Sequence, residues 1–270
     1  MTFRIAHLSD VHLAPLPPVA LADLNLKQLL GYANWQYGRK RQQSRAVLDR
    51  LVADVRLQHA DHVVITGDFA NLGLMAEMRA AAHFIAGIGG PDFVTVIPGN
   101  HDAYAGTDFS PLLPWMGADG AGFPFVKIQR DVALIGLSSA VKTPPFYASG
   151  RLGQAQLNAL AAILPKLKEQ NLARVVLIHH PPLRGQSNAR RGLTDAAALA
   201  AVLGEFGAEL VLHGHNHRWM EAELPGKRSP VIGVPAASAT PSAHGRAGYA
   251  IHTLSRSDDS WTVTTERRQP

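Results

Sequence analysis

The 270-residue chain contains no cysteine. Disulfides and thiolate metal sites are therefore both excluded, and any metal must be held by His, Asp, Glu or Asn. The chain also lacks an apolar run of the roughly 18 uncharged residues that a membrane span requires. Its opening, MTFRIAHLSDVH, does not have the basic-then-apolar order of a signal peptide, so a cytoplasmic location is expected. No internal repeat, low-complexity tract or linker interrupts the sequence. At 46% hydrophobic it reads as one large domain, residues 1–270, with a full core. What it has in quantity is histidine, 13 residues, together with a formal charge of +5. Such a charge favours an anionic partner: phosphate, nucleic acid or a membrane surface.

Five apolar segments each end in a polar cluster: RIAHLSDVH, HVVITGDF, FVTVIPGNHD, RVVLIHHPP and ELVLHGHNH. Each reads as a short buried strand. Helical patterns lie between them, in RQQSRAVLDRLVADVRLQ, LMAEMRAAAHFIAGI, QAQLNALAAILPKLKEQ and TDAAALAAVLGEF. Strand–helix alternation predicts largely parallel sheets covered by helices, with functional groups beyond the carboxyl ends of the strands. After residue 218 the pattern changes. There WMEAEL, PVIGV, GYAIHTL and SWTVTTE read as antiparallel strands that finish a second sheet.

The chemistry lies in the clusters. Asp10 and His12 are two apart, so an extended backbone points both the same way and lets them share an ion. Gly67 allows a tight turn at which Asp68 presents a carboxylate able to bridge two cations. Asn100 can supply an amide oxygen, His179 an imidazole, and His215 and His217 a further i, i+2 pair. This mixed nitrogen and oxygen set suits Mn, Fe, Zn, Ni or Co better than Ca or Mg. Seven ligands are too many for one ion but suit two that share a carboxylate and a water. Turn chemistry needs no histidine, so a structural account of Gly-Asn-His-Asp and Gly-His-Asn-His is weak. His7, His59, His62 and His83 read instead as structural or solvated.

In order, Asp10-x-His12, Gly67-Asp68, Gly99-Asn100-His101-Asp102, His179-x-Pro181 and Gly214-His215-Asn216-His217 resemble the five blocks of the calcineurin-like metallophosphoesterases, over residues 5 to about 218. The resemblance implies an α/β fold, a four-layer αββα sandwich of two mixed sheets flanked by helices, with a dinuclear site. It implies Asp10, His12 and His217 on one metal, Asn100, His179 and His215 on the other, and Asp68 as the bridge. His101 is then left unligated, facing the substrate, with Asp102 orienting its ring. Serine/threonine phosphatases of that superfamily carry Gly-Asp-x-x-Asp-Arg-Gly. This chain has Gly67-Asp68-Phe69-Ala70-Asn71-Leu72-Gly73, and the arginine that grips phosphate is missing from the block. HHPP and GHNH look more like the bacterial phosphodiesterases. Related branches cleave the pyrophosphate of UDP-diacylglucosamine, act as DNA-end nucleases, or keep the fold as a non-catalytic scaffold.

The implied activity is hydrolysis of phosphodiester or pyrophosphate bonds by metal-bound hydroxide, with His101 giving the leaving oxygen a proton or a positive neighbour. Nucleic acid is a poor candidate partner, since no aromatic-lined platform for stacked bases is evident. The segment LADLNLKQLLGYANWQYGRKRQQSR, within a lid-like insertion at about 15–45, is rich in leucine and in Tyr32, Trp35 and Tyr37. Residues 20 to 45 carry five cations against Asp23, a net of +4. Two readings stand: a lid packed on its own core with a solvated basic end, or a cap for a phosphate-bearing substrate with an apolar part or for an anionic membrane surface.

Overall fold

The computed structural model describes residues 2–104, 106, 108–117, 122–241, 245–257 and 260–270. The first half contains β1 (Thr2–Leu8), α1 (Leu26–Tyr37), α2 (Arg45–Leu57), β2 (His62–Ile65), α3 (Met75–Ile88), β3 (Val94–Val96) and α4 (Leu113–Met116). Next come β4 (Phe125–Gln129), β5 (Val132–Gly136), α5 (Gln154–Glu169), β6 (Ala173–Leu177), α6 (Ala196–Phe206) and β7 (Leu210–His213). The chain closes with β8 (Met220–Glu223), β9 (Pro230–Gly233), β10 (Tyr249–Ser257) and β11 (Ser260–Arg268). One sheet runs β11-β10-β1-β2-β3 and the other β4-β5-β6-β7-β9-β8. Both are mixed. Parallel pairs join β1, β2 and β3 in the first sheet and β5, β6, β7 and β9 in the second.

Period-2 alternation sorts the strand residues into layers. In β2, Val64 points between the sheets while Val63 and Ile65 point at α2 and α3. In β5 and β6, Val132, Leu134, Val175 and Leu177 enter the inter-sheet layer, and Ala133, Ile135 and Val176 face α5 and α6. The helices answer with leucine stripes: Leu48 and Leu51 from α2, and Leu157, Leu160 and Leu164 from α5, are all buried. Three apolar layers between four layers of secondary structure give the expected αββα sandwich.

The chain's tail departs from the sequence expectation. Only β8 and β9 finish the second sheet, and β9 is parallel to β7. β10 crosses back to pair antiparallel with β1, and β11 forms the edge beyond it. Local patterning marks a strand but carries no information on its partner. The hairpin β4–β5 also escaped the sequence reading. No helix among the described residues is long and apolar enough to cross a membrane.

Candidate metal centre

The carboxyl ends of β1, β2, β3, β6 and β7 meet on one side of the sandwich and bring the five polar clusters together. The chain leaves β1 by two left-handed residues, Asp10 (φ 52°) and His12 (φ 40°), with Val11 buried between them. The pair is therefore not on an extended strand, as the spacing suggested. Kinked backbone aims the two side chains instead. Asp68 (φ 57°), His215 (φ 69°) and His217 (φ 53°) share this conformation, which Asp, Asn and His tolerate better than bulky or branched residues. Close approach of the loops depends on glycine. A Cβ on Gly99 would strike the Asp68 carboxylate, and one on Gly214 would strike Ser9 Oγ and lie 2.5 Å from Asp10 Oδ2.

Two groups of side chains result, Asp10, His12, Asp68 and His217 in one and Asp68, His179 and His215 in the other, each with ligand atoms within 4.8 Å of one another. Asn100 joins the second group, its Oδ1 lying 3.2 Å from His179 Nε2 and 2.8 Å from His215 Nδ1. All seven expected ligands are thus in one place. His217 is the most open, and the rest are buried.

The donor set fits metal ions on three counts. His12 gives its Nδ1 proton to the Ala70 carbonyl at 3.1 Å, so its Nε2 carries a lone pair, and that lone pair faces His217 Nε2 at 3.2 Å. His215 Nε2 is buried without a hydrogen-bond partner among the described residues. Asp10 Oδ1 lies 3.1 Å from His217 Nε2, yet it is buried without a hydrogen-bond donor among the described residues. Outer partners fix other rings: His179 Nδ1 donates to Thr66 O at 2.6 Å, leaving Nε2 3.3 Å from Asp68 Oδ2. Burial opposes ionisation of Asp68, but the rings of His179, His101 and His12 hold its carboxyl well below the usual range. Burial pushes His12 down to about 4, so its ring is neutral and free to ligate.

Asp102 does not orient the His101 ring. Its carboxylate accepts four backbone amides: Asp68, Phe69 and Ala70 at 2.9 Å each and Gly99 at 2.8 Å. The His101 ring is held elsewhere, with Nδ1 donating to Asn71 O at 2.7 Å and Nε2 accepting from Arg39 Nη1 at 2.8 Å. It stacks on Tyr104, 5.2 Å between centroids, and Lys27 Nζ lies 4.4 Å over the far ring. Asn71 and Tyr104 were not marked by the sequence reading, which counted Arg39 among the five cations of the insertion without joining it to His101. Arg39 is 62 residues from His101, and no local pattern joins them. The four histidines read as structural or solvated divide: His7 and His62 are buried on threonine hydroxyls, and His59 and His83 are exposed.

Comparison with known proteins adds the following. The family model for calcineurin-like phosphoesterases matches residues 3–219. Among solved structures, a dimetal phosphatase from Danio rerio superposes with a TM-score of 0.61 at 13% identity, covering 99% of this chain and 98% of that one. A purple acid phosphatase from yellow lupin (Lupinus luteus) seeds gives 0.61 at 13% identity, with 100% of this chain covering 52% of that one. The anchor protein in the inner membrane complex of Plasmodium gives 0.59 at 12% identity, covering 99% and 84%. At these identities the likeness is one of fold. No protein of curated function matches by sequence.

Proposed function

The chain belongs to the calcineurin-like phosphoesterase family, and on that premise we propose that it is a dinuclear metal-dependent hydrolase of phosphodiester or pyrophosphate bonds. The observation that carries this reading is the pair of ligand groups sharing Asp68. Asp10, His12 and His217 would hold one divalent ion and Asn100, His179 and His215 the other, with Asp68 between. When bound, two such ions lower the pKa of a water and neutralise the phosphate oxygens it approaches. The protein's own share is positional. His101 belongs to neither ligand group and stands edge-on to His12, 5.0 Å between centroids, with its Nε2 turned to the Arg39 guanidinium rather than left free to protonate a leaving oxygen. Asp102 keeps the 68–70 turn closed on Gly99 and so holds in place the Asp68 carboxylate that both ions would share.

Metal analysis combined with turnover of bis-p-nitrophenyl phosphate, p-nitrophenyl phosphate and UDP-diacylglucosamine tests the reading. The expected result is two ions per chain and diester or pyrophosphate hydrolysis that is lost on chelation and restored by manganese. Full turnover with one ion or none per chain would refute it.

A second reading concerns the substrate's apolar part, and the insertion favours it. α1 is amphipathic in the reverse sense: Gln28 is buried, while Leu26, Leu29, Leu30 and Tyr37 form an outward stripe, with Tyr37 88% exposed. Lys27 ties the helix to the 143–147 loop, which adds Phe146, 82% exposed. Lys40 and Arg41 are exposed beyond the end of the stripe. Apolar surface with basic neighbours suits an anionic membrane from which an acyl-bearing phosphoester is drawn. Co-sedimentation with phosphatidylglycerol vesicles, lost in Leu26→Asp/Leu30→Asp, is the expected outcome. Equal recovery of both proteins with the vesicles would remove this reading.

A further inference from the structure

The arginine missing from the Gly67-Asp68 block has a counterpart that arrives from another part of the chain. Arg39 sits just past α1, in a short 3-10 turn, Arg39–Arg41. Its Nη1 is engaged by His101, whereas Nε and Nη2 donate to no protein atom among the described residues. Arg39 lines a cavity of ≈ 220 Å³ whose wall also includes His12 and His217. Arg191 lines the same cavity and is anchored by a bond from Nη2 to the His215 carbonyl at 3.3 Å. Two guanidinium groups facing one cavity repel each other, and an anion between them removes that cost.

Both ends of the insertion are fastened, so the position of Arg39 is set before any ligand arrives. At the front, Asn25 and Gln28 cap α1 reciprocally, Gln28 donates to Leu72 O at 3.2 Å, and Lys27 donates to Thr143. At the back, Gln43 bridges to Ala239, Ser44 N donates to Ser238 O, and Thr240 N donates to Gln42 O. Gly31 packs so closely on Tyr104 that a Cβ there would lie 2.7 Å from the phenol oxygen. Anchored at both ends, the arginine loses little freedom on binding an anion.

We propose that Arg39 is a substrate-binding residue of this site, gripping the non-bridging oxygens of the phosphoryl group that the metal ligands face, with Arg191 as the opposing arm. The inference rests on the phosphoester reading. Arginine suits the role because its fork pairs with two phosphate oxygens at once. Its bond to His101 then has a function of its own: Asn71 O can only accept and Arg39 can only donate, so the ring is fixed with its proton on Nδ1, and Nε2 steadies the guanidinium.

The test compares Arg39→Met, Arg39→Lys and a charge control at the exposed Arg50 of α2, Arg50→Met, all with metal content measured. Binding of inorganic phosphate to manganese-loaded protein is read by calorimetry, separately from turnover. Arg39→Met should weaken phosphate at least 10-fold and lower kcat/KM by roughly 10²-fold, the usual worth of one oxyanion donor. Arg39→Lys should recover part of the phosphate affinity, and Arg50→Met should change neither quantity. In metal-free protein, ¹⁵N spectra of His101 should show an unprotonated Nε2 that loses its hydrogen-bond shift in Arg39→Met. Native phosphate affinity in Arg39→Met with normal metal content would overturn the proposal and leave Arg39 a prop for His101. Phosphate binding that depends on Arg39 in a protein that hydrolyses no phosphoester would keep the clamp and defeat the enzymatic reading.

Discussion

Asp102→Asn distinguishes a carboxylate that supports a catalytic ring from one that closes a loop. In the native protein Oδ1 accepts the Phe69 and Ala70 amides and Oδ2 those of Asp68 and Gly99. Asparagine keeps one oxygen and turns an amide donor toward the other two N–H groups. Two buried donors then lose their acceptor, at about 1–3 kcal/mol each, for a total of roughly 2–6 kcal/mol. Domain stabilities are about 5–15 kcal/mol, so the variant should be barely stable. Urea unfolding of metal-stripped protein, followed by circular dichroism, measures this without the masking effect of bound metal. The midpoint should fall with the slope unchanged. A variant that unfolds within about 0.5 kcal/mol of the native protein, yet loses turnover 10²-fold after manganese is restored, would refute the reasoning. Asp102 would then act through His101 after all.

Three further outcomes are expected. Asp68→Asn removes the charge shared by both ligand groups and should strip at least one ion per chain, so two tightly held ions with near-native turnover would rule out the shared carboxylate. Gly214→Ala should lower metal content by displacing the Asp10 carboxylate, and native stoichiometry would show that the loops can part without consequence. His62 is buried on Thr95 Oγ1 at 2.8 Å, and burial pushes its pKa down to about 3. With an unfolded pKa near 6.5, its contribution is complete above about pH 6.5 and is lost as pH falls toward 3, on the order of 3 kcal/mol by pH 4. His62→Gln should flatten that part of the stability profile, and an unchanged acid limb would show that the ring is not held neutral.

Much of this molecule could be read from its sequence because the informative signals are local. Largely apolar strands of three to seven residues lead into SDVH, TGDF, PGNHD, HHPP and GHNH, and the clusters fall where parallel strands deliver their loops. The partner choice of β10, by contrast, is a long-range fact, as is the reach of Arg39 to His101. Asp102 was misread for a related reason. Adjacent in sequence to His101, it looks like that ring's support, but its four partners are backbone amides, which every residue but proline has and which no sequence pattern displays.

The same count of amides separates the acids that can hold metal from those that cannot. Asp10, Asp68, Glu77 and Asp102 are all buried acids near the strand ends, and composition treats them alike. An ionised carboxylate has about four acceptor positions. Asp102 fills four with amides, and Glu77 fills three with Asn71, Leu72 and Leu74. Among the described residues Asp68 accepts one backbone amide, that of His101, and Asp10 one, that of His215, so both keep lone pairs turned toward the histidines. Left-handed backbone at five of the seven expected ligands costs energy at each, and the saturated pair offsets it by tying the 68–74 segment and Gly99 into one unit. Two acids therefore build the cradle and two face into it, a division of labour set by which amides each can reach.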